Sequence, residues 1–126
     1  MHIIPAILPK DFREITAKLA LVMGVADSVQ IDIADGKFAP NKTWPYTTLS
    51  LGKPYDSDFQ DLIGERNGFP FWKDFDFEFD LMVSKPQEMV ADFVRMGASR
   101  IIVHIESMEA DALSELIKEW KHSVDV

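Results

Sequence analysis

Between Val29 and Asn41 apolar and polar residues alternate through Val29, Ile31 and Ile33, and the chain then turns at Asp35-Gly36 with Asp32 set near the end of the apolar run. A period of two is the mark of a strand with one face against a core, and Asp-Gly is a turn signal. Acidic side chains at the end of such a strand suit chemistry as well as solvation. In (β/α) barrels the reactive groups sit where the C-terminal ends of the strands meet the βα loops. Taken alone, the stretch reads more simply as an ordinary strand closed by an Asp-Gly turn.

The remaining pattern repeats the alternation of strand and helix. An apolar run from Ile3 to Leu8 reads as a first strand. Asp11 and Glu14 have capping-box spacing ahead of a helix carrying Phe12, Ile15, Leu19, Val22 and Met23, which Gly24 ends. Asn41 to Tyr55 is loop-like, punctuated by Pro45, Gly52 and Pro54, and a short helix over Ser57 to Ile63 has Ser57 as N-cap and Gly64 as stop. From Asp74 to Asp80 acids alternate with Phe75, Phe77 and Phe79, so a third strand puts its phenylalanines under helices and leaves Asp74 and Asp76 to solvent. Pro86 opens a further helix with Met89, Val90, Phe93 and Val94 as its apolar stripe and Gly97 as its stop. A fourth strand, Arg100 to Ile105, brings His104 and Glu106 to one face, and a last helix over Met108 to Lys121 carries Leu113, Leu116, Ile117 and Trp120. Strand and helix in strict alternation specify α/β architecture with a parallel sheet, and no internal linker divides residues 1–126, which read as one domain.

Composition removes several functional classes. The formal net charge of −8 argues against non-specific nucleic-acid or anionic-membrane binding. No apolar run approaches the ~20 residues that span a bilayer, and zero Cys excludes disulfides and thiolate metal sites. A cytoplasmic domain is the expectation. A phosphorylated ligand on so acidic a chain requires local cations, for which Lys37, Lys42 and Arg66 are the nearest candidates, although an exposed turn lysine is the plainer reading of Lys37.

Five segments, read in order, resemble one known family. Ile4-Pro5-Ala6-Ile7-Leu8, Gln30-Ile31-Asp32-Ile33-Ala34-Asp35-Gly36-Lys37-Phe38-Ala39-Pro40-Asn41, Asp80-Leu81-Met82-Val83 with Pro86, Gly97-Ala98, and Val103-His104-Ile105-Glu106 are similar to the motifs of ribulose-phosphate 3-epimerases. Only the segment between Thr43 and Phe79 matches poorly. The resemblance implies a (β/α) barrel and metal-assisted epimerisation at C3 of a ketose phosphate, in carbohydrate metabolism. It implies Asp32 as both metal ligand and acid/base group, Gln30 and Asp80 at the two positions where the family places metal-binding histidines, and Ala6, Met82 and His104 as substrate-site residues. Ala6 stands where the family has a substrate-contacting Ser, and Ala34 replaces a lining Met.

Inverting a carbon next to a carbonyl takes a base on one face, an acid on the other, and an electrophile that holds the enediolate charge. A divalent ion can be that electrophile. If Asp32 points inward, strand parity turns Gln30, Asp32 and Asp80 the same way, and three oxygen donors converge. An amide and a carboxylate in place of two imidazoles shift preference from Zn²⁺ or Fe²⁺ toward Mg²⁺ or Mn²⁺.

At 126 residues the chain supplies about half of a closed barrel, which typically needs ~250 residues. Val124-Asp125-Val126 reads as the opening of a fifth strand. Four to five strands leave two sheet edges and an inner face expected to be apolar, a route to self-association or to pairing with a second half-barrel chain. Three functional readings follow: an epimerase-like catalyst completed by a partner half, a non-catalytic half-barrel used for binding or assembly, and a fragment of a longer epimerase. The losses at Ala6, Gln30, Ala34 and Asp80 favour the second.

Overall fold

Proline sets the limits of the first strand. Pro5 has no N–H to give to a ladder, although its carbonyl accepts the Gln30 N–H at 2.8 Å, and β1 is reduced to Ala6–Ile7 rather than the Ile3 to Leu8 run expected. The computed structural model describes residues 3–47 and 56–126. After β1, Asp11 caps helix α1 (Phe12–Val22) by accepting the Glu14 N–H at 2.8 Å, and Ile15 and Leu19 become fully buried. Strand β2 (Ser28–Ala34) follows, then α2 (Ser57–Ile63), β3 (Asp76–Met82), a 3₁₀ turn over Pro86–Glu88, α3 (Val90–Arg95), β4 (Ala98–Val103), a second 3₁₀ turn over Ile105–Ser107, and α4 (Ala110–Trp120).

The boundaries differ from the sequence reading in instructive ways. The cap of α2 is Asp56 rather than Ser57; its buried carboxylate accepts the Phe59 N–H at 2.8 Å. Pro86 begins a 3₁₀ turn, and the α-helix proper starts only at Val90. β4 begins and ends two residues earlier than expected, so Glu106 lies in an exposed 3₁₀ turn and the common face predicted for His104 and Glu106 does not form. Of the loop expected over Asn41 to Tyr55, the turn residues Gly52 and Pro54 lie outside the described residues.

The four strands form one sheet in the order β1-β2-β3-β4, every pair parallel. Sequential parallel neighbours, each joined through a helical connection, are the opening of a singly wound (β/α) barrel. Ile101 N–H donates to the Asp125 carbonyl at 2.7 Å, in a parallel bridge that pairs Arg100 with Asp125, so the residues read as a fifth strand continue the order along the β4 edge.

Parity separates the two faces of this sheet. Val29, Ile31 and Ile33 of β2, with Phe77, Phe79 and Leu81 of β3, are buried against Ile15, Leu19, Phe59, Leu62 and Phe93 from the helices. Aromatic rings fill this layer: Phe79 meets Phe93 at 4.8 Å and Phe69 meets Phe77 at 4.5 Å between centroids. The phenylalanines thus pack under helices as the alternation predicts, while Asp74 and Asp76 remain exposed. The opposite face is not the apolar surface expected of a half-barrel. It carries Gln30, Asp32, Glu78 and Asp80 in adjacent register, with Ala6, Ala34, Met82 and Ile102 around them. Among the described residues no helix is long and apolar enough to cross a membrane.

Candidate active site at the strand ends

Asp32 lies two residues from the end of β2 with only 8% of its surface exposed. Two contacts from a later loop hold the strand end straight: the Thr43 hydroxyl donates to the Asp32 carbonyl at 3.1 Å and accepts the Ala34 N–H at 2.9 Å. Thr43 is buried, and no local motif marked it. On the polar face the Gln30 side-chain amide donates to Asp32 Oδ1 at 2.6 Å, a same-face contact that i, i+2 spacing in a strand permits. Burial pushes the Asp32 carboxyl above the ordinary value of 3.8; the Gln30 hydrogen bond works against this, and the nearby Asp80 and Glu78 charges add to it.

Asp80 stands opposite Asp32 in the β2–β3 register, and its Oδ1 lies 2.7 Å from His104 Nε2. That contact joins residues 24 apart in sequence. The Phe38 ring, from the loop after β2, lies 5.4 Å from the imidazole and shields one side of it. One layer toward the N-terminal end of the strands, Glu78 is buried beside Gln30 and meets Arg100 at 3.3 Å, while Arg100 also reaches Asp125 at 2.8 Å. Glu78 belonged to a visible alternation, yet nothing in the spacing paired it with Arg100.

The residues expected at the site are therefore brought together unequally. Gln30, Asp32, Asp80 and His104 form one hydrogen-bonded and electrostatically coupled group. Met82 pairs with Ala34 at the top of the same face, and Ala6 pairs with Gln30 from β1. Of the candidate cations, Arg66 is spent on Asp61 at 2.8 Å, whereas Lys37 and Lys42 line a common cavity with Lys85.

The divalent ion implied by the resemblance is tested by these donors. Among the described residues no three His, Cys, Asp or Glu side chains are grouped to hold an ion. The Gln30 amide is committed as a donor to Asp32, and Asp80 is engaged by His104. Hydrogen-bonded carboxylates still ligate ions, so it is the lack of a third grouped His, Cys, Asp or Glu among the described residues that leaves the set Gln30, Asp32 and Asp80, as arranged, short of a metal centre. The physical reason is the substitution itself: Gln30 and Asp80 put an amide and a second carboxylate where the resemblance implies two imidazole ligands.

A parallel, sequentially ordered sheet with helices on one face and an acidic cluster at the carboxyl ends of its strands on the other defines a (β/α)-barrel-type protein with a strand-end site. The model of the ribulose-phosphate 3 epimerase family matches residues 2–124, and the chain belongs to that family. It is 32% identical over 123 residues to a ribulose-phosphate 3-epimerase of Candida glabrata, covering 93% of this chain and 48% of the relative. A relative of the same name from Aquifex aeolicus is 32% identical over 117 residues, covering 91% of this chain and 45% of its own length. The chain thus spans about half the length of the curated relatives it matches.

Proposed function

We propose that this chain carries one acid/base face of an epimerase-type site, with Asp32 as the group that removes and returns the proton at C3 of a ketose phosphate. One observation carries the reading. Asp32 is a buried strand-end carboxylate whose proton affinity is raised, standing beside an oriented imidazole–carboxylate pair. When the C3–H bond breaks, its electron pair moves into the bond to C2, and negative charge develops on the C2 oxygen. In its doubly protonated form, with Nε2–H held by Asp80 at 2.7 Å, His104 has Nδ1–H left to donate a hydrogen bond to that oxygen. Ala6 and Met82 line the ligand side of the same face.

Inversion also needs an acid on the opposite face of the carbon. A second half-barrel, from another copy of this chain or from a different chain, is the natural source in this reading, and a cytoplasmic setting accords with the absence of cysteine. A second reading, a binding or assembly module without turnover, is favoured by the same internal pairing of Asp32 and Asp80.

Exchange of the C3 hydrogen separates the two readings, since exchange needs one base and inversion needs two groups. Incubated with D-ribulose 5-phosphate in D₂O and followed by proton NMR, the chain is expected to wash out the C3 proton. Asp32→Asn, at unchanged helicity, is expected to slow this by about 10²–10⁴-fold. Exchange no faster than in buffer, from a folded chain, would overturn the acid/base reading.

A further inference from the structure

The loops that follow β2 and β3 enclose a cavity of about 300 Å³ on the outer side of the strand ends, and three lysines, Lys37, Lys42 and Lys85, line it. They come from separated places in a chain whose net charge is −8, and one carboxylate accounts for their meeting. Asp35 accepts the Lys37 N–H at 2.8 Å. It also accepts both the N–H of Ser84, at 2.9 Å, and its hydroxyl, at 3.0 Å, which fixes the residue next to Lys85. Lys42 is set by backbone pairing with Asp35, and its aliphatic stem lies 3.7 Å from where a β-carbon at Gly36 would stand. Gly36 has φ +80°, so the tight turn that carries Lys37 favours a residue without a side chain, while the Lys42 stem would meet a β-carbon there only at ordinary contact distance.

The balance of charge in the cavity is positive. Asp35 and Glu88 also line it, so three lysines face two carboxylates and the formal balance is +1; the hydrogen bonds from Lys37, Phe38 and Ser84 orient the Asp35 carboxylate away from the role of a free counter-charge without cancelling it. Glu88 lies 4.0 Å from Lys85, with both side chains about two-thirds exposed, a separation and exposure at which an ion pair contributes little. Neither Lys37 nor Lys42 has an ion-pair partner among the described residues. Three lysine side chains lining one concavity, on loops held by hydrogen bonds, meet the needs of a compact dianion, which lysine binds as a point charge.

We infer that the Lys37, Lys42 and Lys85 cavity binds a phosphate-class dianion, either inorganic phosphate or the phosphate of a monoester. Its location on the helix side of the strand ends sets it apart from the Asp32 cluster, which occupies the opposite face. The inference therefore stands without the acid/base reading, although a ketose phosphate is one monoester that would satisfy it.

Calorimetric titration of the whole chain with inorganic phosphate, ribose 5-phosphate and ribose tests it. Phosphate and ribose 5-phosphate are expected to bind one per chain, more weakly as ionic strength rises, and ribose not at all. The triple variant K37Q/K42Q/K85Q is expected to lose at least tenfold in affinity, and each single variant a smaller part, so the test survives if the triple variant does not fold. Tighter binding of ribose 5-phosphate than of phosphate identifies a monoester site; equal binding identifies a free-phosphate site, and both support the inference. Absence of phosphate binding by the folded chain, or binding unchanged in every lysine variant, overturns it. Asp32→Asn is expected to retain full phosphate affinity, which keeps failure of this site distinct from failure of the exchange reaction.

Discussion

At the scale of single residues, Asp32 and Asp35 show how three positions along one stretch separate chemistry from architecture. Both are carboxylates near the end of β2, and both were visible as such. Burial raises the Asp32 carboxyl, whereas at Asp35 the same upward push of burial is outweighed by backbone N–H groups of Ser84, Lys37 and Phe38 and by the Ser84 hydroxyl, leaving it below 3.8. A carboxyl lowered in the folded state stabilises the fold above its unfolded value and loses that contribution as pH falls through the lowered folded value. Asp35→Ala is therefore expected to lose about 1–2 kcal/mol near neutrality, from charge-assisted hydrogen bonds at a partly exposed site. The deficit relative to the parent chain should narrow as pH falls from about 4, where the unfolded carboxyl begins to protonate, through the lowered folded value. Urea denaturation at pH 7 and pH 3 checks this; a deficit independent of pH would mean that Asp35 acts through packing rather than charge. The Asp-Gly turn was legible from sequence, but the reach of its carboxylate to Ser84, 49 residues away, was not.

At the scale of elements, alternation in β2 and β3 was the most reliable signal, because period two is a property of the backbone itself. It placed Phe75, Phe77 and Phe79 correctly in the core and Asp74 and Asp76 in solvent. Element ends were less legible. Asp56 rather than Ser57 caps α2 because the residue already extended before the helix, with φ −69° and ψ 168°, is the one whose side chain can turn back onto the Phe59 N–H. The two kinds of interaction differ in weight. Phe79→Ala removes a fully buried ring that stacks against Phe93 and Phe69 and is expected to cost about 3–5 kcal/mol. Asp56→Ala removes one cap and is expected to cost about 1 kcal/mol. Thermal unfolding of both variants checks the ratio; equal losses would show that the helix start, not the aromatic layer, limits stability.

At the scale of the whole molecule, the four-stranded sheet presents the β1 edge and a polar inner face that in a closed barrel would be sealed by further strands. Two copies related by a two-fold axis can close eight parallel strands, and the chain is expected to show a solution mass that rises with concentration in light scattering. A constant monomer mass with cooperative unfolding would show that the open sheet is self-sufficient and would remove the partner half from the functional reading. From the sequence alone came the alternation of strand and helix, the face of each long strand that enters the core, the membership suggested by five ordered motifs, and the candidates Gln30, Asp32, Asp80 and His104. The alternation and the buried faces follow from local periodicity, whereas the membership and the candidate residues come from the resemblance of the motifs. Only the tertiary structure decided which side chains meet: Asp80 with His104, Glu78 with Arg100, Asp35 with Ser84, and three lysines around one cavity. Such pairings depend on sheet register, on the bulge between β3 and β4, and on the paths of the loops, and a hydrogen bond tolerates errors of only a few tenths of an ångström in all three. For that reason the resemblance pointed to a metal centre, while the folded chain paired the same carboxylates with an amide and an imidazole.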